Sequence, residues 1–146
     1  MKIKTVLWGL ATAALLVSCS GAKLSVANEQ YARGEFYDAA QTYRKVYSKT
    51  NPRKERKLRG EIAFKMAECY RHINMAPRSS AAYQNAIRYD YPDSMALFYL
   101  ARSQQYEGKY KEAIKNYQAY LETNPQSSLA KNGIRGCNLA QQLSLI

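Results

Sequence analysis

Few side chains in this 146-residue chain have the type and spacing for chemistry. There are three cysteines, Cys19, Cys69 and Cys137, and one histidine, His72. Cys69 and His72 are three residues apart, which places them on one helix face. Two ligands make no metal site, because zinc needs three or four protein ligands. One histidine also excludes catalytic arrangements built on several. There is no glycine-rich phosphate loop, no nucleophile elbow and no convincingly spaced carboxylate pair; the 11 acidic residues are scattered. The chain is therefore expected to be no enzyme, with no catalytic residue, metal or bound cofactor. What remains is one cysteine in a special setting, one cationic run and a set of aromatic and guanidinium side chains.

The special cysteine is Cys19. Lys2 and Lys4 form a positive end, and Thr5 to Leu16 is an apolar run too short to span a bilayer. Leu16-Val17-Ser18-Cys19 then sets small residues just before the thiol. This pattern resembles the bacterial lipoprotein box. The resemblance implies that residues 1–18 are a signal peptide and that Cys19 becomes residue one. Cys19 would carry diacylglycerol and an N-acyl chain such as palmitate. Three acyl chains at about 0.8 kcal/mol per buried methylene make release negligible. By the same resemblance, Ser20 in place of an aspartate favours the outer membrane. Ser20-Gly21-Ala22-Lys23-Leu24 holds no acidic cluster, which leaves the domain facing the periplasm. Residues 19–23 are expected to form a lipidated tether.

Cleavage would leave 128 residues with a net charge of +9, enough for one small domain, 24–146. In the cytosol such a charge would suggest nucleic acid. With no zinc-finger spacing and no aromatic RNA-binding signature, nucleic acid is discounted as a partner. Outside the cytosol the charge suits anionic lipid, cell-wall polymer or an acidic protein. Thirteen tyrosines, against three phenylalanines and the single Trp8 of the leader, suggest a thin stack of helices with rings inside and hydroxyls wet.

The elements that position these side chains repeat. Ala27, Ala67 and Ala101 share a frame with the turn residues Gly34, Asn74 and Gly108 and with Tyr43, Tyr83 and Tyr117. The second interval is 34 residues; the first is 40, which contains a six-residue insertion. Gly and Asn tolerate the left-handed backbone that ends a helix. Asn51-Pro52, Tyr91-Pro92 and Asn124-Pro125 are expected to stop each second helix. This period and pattern are similar to the tetratricopeptide repeat (TPR). The resemblance implies an all-α, right-handed TPR solenoid. Its three helix-turn-helix repeats span about 24–52, 55–92 and 94–125, followed by a capping helix, 127–143. Individual helices are expected at about 24–33, 36–49, 55–73, 77–90, 94–107 and 110–123. In this frame the alanines, with Ala39 and Ala113 opposite them, let paired helices approach; Ser79 stands where the middle repeat would have its alanine. Gly133 and Gly136 inside the capping helix cost about 1 kcal/mol each, so close packing is expected there.

Cys69 and Cys137 hold the same place in repeats two apart. With stacked helices 8–10 Å apart, the thiols should be roughly 20 Å apart, beyond the reach of a disulfide. Two free, buried thiols are expected.

The family's groove positions, on the concave side lined by first helices, fall here on Asn28 and Tyr31, on Phe64, Glu68, Arg71 and His72, on Phe98, Arg102, Gln105 and Tyr106, and on Asn132. Such aromatic and guanidinium groups suit a peptide. The basic-plus-asparagine clamp of chaperone-binding members is not reproduced. Arg53, Lys54, Arg56, Lys57 and Arg59 form an exposed basic run beside the insertion. It is either a solvated charged face or a contact for anionic lipid or cell wall.

The lipoprotein box, the short array and the ending Ala130-Lys131-Asn132-Gly133-Ile134-Arg135-Gly136-Cys137 together resemble the N-terminal region of PorE-like, OmpA-family periplasmic lipoproteins of the type IX secretion system. The propeller and OmpA-like domains of that family are not in this sequence, so peptidoglycan binding is not carried over. Two readings stay open: a truncated member or a stand-alone repeat lipoprotein. The function implied is a membrane-anchored adaptor, a scaffold that binds proteins in a periplasmic or outer-membrane complex. The alternative is an outer-membrane β-barrel assembly lipoprotein, although those are commonly longer arrays.

Overall fold

The computed structural model describes residues 21–143 as helices and turns, with no strand among the described residues. The expected signal peptide, Cys19 and Ser20 lie outside them. The helices are α1 (Gly21–Ala32), α2 (Phe36–Lys49), α3 (Arg56–His72), α4 (Ala76–Arg88), α5 (Met95–Tyr106), α6 (Tyr110–Thr123) and α7 (Ser128–Leu143). Each packs against the next, and α5 also touches α7. This is the expected series of three helix pairs and one unpaired helix.

The turn inside each pair is a left-handed stop. Gly34, Asn74 and Gly108 have φ of 77°, 56° and 75°. Behind them, Glu35, Met75 and Lys109 donate to the carbonyls of Gln30, Tyr70 and Gln104, each at 2.9 Å. That six-residue loop satisfies carbonyls left over at a helix end. The end of α4 differs from expectation. It stops at Arg88, before Tyr91-Pro92, because Asp90 turns left-handed at φ 57° and Tyr91 donates back to Ala86 at 3.0 Å. The proline follows an end already made. At the other terminus α1 starts at Gly21, so residues 21–23, expected in the tether, are helical. Gly21 sits at the start of the helix, where glycine is tolerated, and Ala22 and Lys23 are good helix formers.

The repeat frame explains the core. Ala27, Ala67 and Ala101, with Ala39, Ser79 and Ala113 opposite, are fully buried. Tyr43, Tyr83 and Tyr117 are the largest fully buried side chains among the described residues. The Ser79 hydroxyl pairs with Ser103 at 3.0 Å, linking the second and third repeats where an alanine would make no bond. One apolar cluster runs through α1–α4 into Ala96 and Leu100; a second joins α5, α6 and α7.

The fit of α7 turns on Gly133. A Cβ there would lie 2.5 Å from Tyr117 Cζ, inside the ring's contact radius. The helix accepts poor glycine propensity in exchange for seating against that ring, as expected. Cys137 and Ala130 are buried beneath it. Yet α7 is an incomplete cap. Leu129, Leu139 and Leu143 are 67%, 58% and 63% exposed, where a cap would present a polar face.

Candidate functional site

The first helices α1, α3 and α5 carry most of the expected groove residues, and the buried tyrosines of α2, α4 and α6 reach through to fix them. Tyr43 donates to Asn28 Oδ1 at 2.7 Å and Tyr117 to Gln105 Oε1 at 2.9 Å. Tyr83 donates to Glu68 Oε1. Each repeat thus uses a ring for packing and a hydroxyl to orient a polar side chain.

Glu68 is buried, and it is neutralised within its own helix. Arg71 Nε and Nη2 donate to its two oxygens at 3.1 and 2.7 Å. Burial pushes the Glu68 carboxyl up, but the hydrogen bonds from Arg71 and Tyr83 outweigh it and hold the group below its ordinary value. Arg71 is raised in turn, first by its bond to Glu68. Its guanidinium lies 4.5 Å over the Tyr99 ring. Arg71 therefore has a fixed position and little free charge.

A cleft of about 500 Å³ opens beside it, between the second and third repeats. It brings together Arg71, Arg102 and Tyr106 from the expected set. It adds Asn74, Pro77, Tyr99 and Ser103, which the sequence reading did not place there. Tyr99 was within reach: it precedes Arg102 by three residues, hence on the same face of α5. Asn74 was legible as a turn, but its position at the cleft mouth depends on the next repeat. Tyr106 is 70% exposed, and Arg102 rests on it, Nε and Nη2 each 3.3 Å from the hydroxyl.

The rest of the expected groove is not continuous with this cleft. Asn28 lines a smaller cleft of about 190 Å³ with Leu24, Leu58 and Lys65, and the two share no lining residue. Tyr31 and His72 belong to an aromatic cluster in which His72 stacks on Phe36, centroids 4.1 Å apart and planes 6° apart. Phe64 is half-buried and stacks on Tyr91 at 4.2 Å. Phe98 is a correction. It is buried among Tyr99, Tyr117 and Tyr120 and packs the core. Asn132 is exposed and accepts from Arg135. The groove frame marks which helix face a residue occupies, but side-chain length and neighbours decide whether it reaches the surface.

The basic run also divides. Arg53, Lys54 and Lys57 are exposed. Arg56 pairs with Asp90 at 2.7 Å and donates to the Arg88 carbonyl at 2.6 Å. Arg59 is half-buried, 3.9 Å over the Tyr47 ring and 4.9 Å from Tyr89, donating to the Tyr47 and Thr50 carbonyls at 2.9 and 2.6 Å. These two arginines fasten the insertion to the helices around it, contrary to the expectation of a wholly exposed run.

Among the described residues no three His, Cys, Asp or Glu side chains are grouped for a metal, and no helix is long and apolar enough to cross a membrane. Cys69 and Cys137 are buried free thiols in separate clusters.

Comparison with known proteins fits this geometry. Residues 95–127, the third helix pair, match the tetratricopeptide repeat family. No curated protein matches the chain significantly. Among solved structures, the first TPR of Spaghetti (RPAP3) bound to an HSP90 peptide superposes with a TM-score of 0.67 at 17% identity, covering 84% of this chain and 93% of that one. The second TPR domain of human RPAP3, in complex with an HSP70 peptide, gives 0.66 at 16%, covering 82% and 94%. The Yersinia enterocolitica type III secretion chaperone SycD, in complex with a peptide of the translocator YopD, gives 0.64 at 14%, covering 83% and 93%. The chain therefore folds as a TPR solenoid of three helix pairs with α7 after them.

Proposed function

We propose that this chain is a lipid-anchored adaptor, held by Cys19 in the outer membrane and facing the periplasm. There it docks a segment of a protein partner, in a complex of the kind that serves type IX secretion. The observation that carries the docking is the cleft of about 500 Å³ with the exposed Tyr106 and Arg102 at its edge. Peptides in the solved complexes of similar fold support a peptide as occupant. The anchor rests on the sequence before Cys19 alone, and the exposed Arg53, Lys54 and Lys57 suit an anionic surface near it. The TPR fold is a scaffold for protein interaction, in keeping with a role outside catalysis.

Affinity capture of the lipidated protein from membranes tests this reading. Wild-type protein should recover a partner that Arg102→Ala/Tyr106→Ala does not. The same proteins recovered by both would overturn docking in the cleft. Barrel-assembly components in place of secretion components would move the assignment to β-barrel assembly. Radiolabelled palmitate should enter the wild type and not Cys19→Ser; equal labelling would overturn the anchor.

A further inference from the structure

The cleft carries an unbalanced charge that one residue supplies. Two guanidinium groups line it and no carboxylate does. Arg71 is already committed, with two of its nitrogens on Glu68 and its plane on Tyr99. Arg102 has no carboxylate within ion-pair distance among the described residues; the five ion pairs there involve other groups. It rests on the neutral hydroxyl of Tyr106 at 3.3 Å. A carboxylate is a stronger acceptor than a phenol, so an arriving acid displaces that contact. Tyr106, mostly exposed, can swing aside while its ring stays available to the ligand.

The next step along the array is apolar. Gly136 lacks a Cβ that would meet Gln105 Nε2 at 3.1 Å, which sets α7 close to the Gln105–Tyr106 end of α5. Leu139 and Leu143 follow Gly136 by three and seven residues, on the same side of α7, and both are more than half exposed. Neighbouring helices lie about 8–10 Å apart. An extended peptide advances about 3.3 Å per residue, so roughly three residues cross from Arg102 to these leucines.

We infer that this surface selects an acidic–aliphatic peptide segment: a carboxylate side chain seated on Arg102, followed about three residues on by aliphatic side chains against Leu139 and Leu143. The inference rests on the adaptor reading and names the chemistry of its partner. The net charge of +9 left after cleavage before Cys19 favours an acidic partner at long range.

The test uses the purified full-length protein in detergent and a fluorescein-labelled probe, Gly-Ser-Glu-Gly-Ser-Leu-Leu-Gly, read by anisotropy. Probes with Gln or Lys in place of Glu are the comparison. The Glu probe should bind about fivefold tighter than the Gln probe, as one partly exposed ion pair allows. R102E should invert the order so that the Lys probe binds best. Leu139→Ser/Leu143→Ser should weaken the Glu and Gln probes alike, by roughly tenfold. Equal binding of all three probes, abolished by Tyr106→Ala, would overturn the acidic preference while leaving the adaptor groove standing. Binding by no probe, or by phosphatidylglycerol vesicles alone, would overturn the inference; capture from membranes judges the adaptor reading separately.

Discussion

Arg71 and Glu68 hold each other through two hydrogen bonds of 3.1 and 2.7 Å, one turn apart on α3, beneath the Tyr83 hydroxyl. Their pairing takes one of the two cleft arginines out of play and leaves Arg102 as the cleft charge with no carboxylate partner among the described residues.

Removing Glu68 should therefore cost stability more than affinity. Glu68→Ala leaves a buried hydroxyl and a guanidinium unpartnered, a loss of about 3 kcal/mol by urea denaturation. A change within about 0.5 kcal/mol would mean the pair contributes nothing net.

The same group predicts an acid limb. The Glu68 carboxyl is held below its ordinary value in the fold. The unfolded chain thus takes up that proton first. The pair's stabilisation is complete above the unfolded pKa, about 4.3, and is lost as pH falls through the lower folded value. Thermal melts of Glu68→Gln should depend less on pH than the wild type as pH falls below about 4.3, the ordinary carboxylate value. An identical pH dependence in the two proteins would contradict this.

Gly133→Ala should destabilise by about 1–3 kcal/mol, because its Cβ would press into the Tyr117 ring at 2.5 Å. Were the space free, alanine would instead stabilise the helix by about 1 kcal/mol. The sign of the shift in melting temperature decides. Gly136→Ala meets only the movable end of Gln105 and should be milder.

Both thiols should resist Ellman's reagent in the native protein and react fully in urea. Burial, then the charge of Glu68, pushes Cys69 up to about 12, and burial raises Cys137. Fast labelling of the native protein would show that one cluster opens readily.

Arg59→Ala should lower stability by about 1–2 kcal/mol, since it removes two carbonyl hydrogen bonds and a stacked guanidinium. Lys54→Ala, on the same run but exposed, should change it by under about 0.5 kcal/mol. Equal effects would contradict the division of the basic run.

The contrast between Tyr83 and Phe98 shows what the sequence could reveal. The spacing of Tyr43, Tyr83 and Tyr117 identifies the fold because every repeat solves the same packing problem with the same residue. Left-handed Gly34, Asn74 and Gly108 were legible for the same reason. Phe98 was assigned to the groove by its frame, yet three neighbouring tyrosines enclose it. The stop at Asp90 was hidden because Tyr91-Pro92 offered a stronger local signal one residue later. Arg56 and Arg59 looked like free charge because their partners come from α2 (Tyr47) and from the turn after α4 (Tyr89 and Asp90). Local period set the elements, and contacts between repeats settled which side chains remain available.

Photocrosslinking in intact membranes tests the central claim most directly. A benzophenone side chain in place of Tyr106, at the cleft, is compared with one in place of Glu122, exposed on α6. The adaptor account predicts one discrete protein adduct from the cleft position, lost when Arg102→Ala is added, and none from α6. The same adducts from both positions, or a cleft adduct indifferent to Arg102, would contradict it.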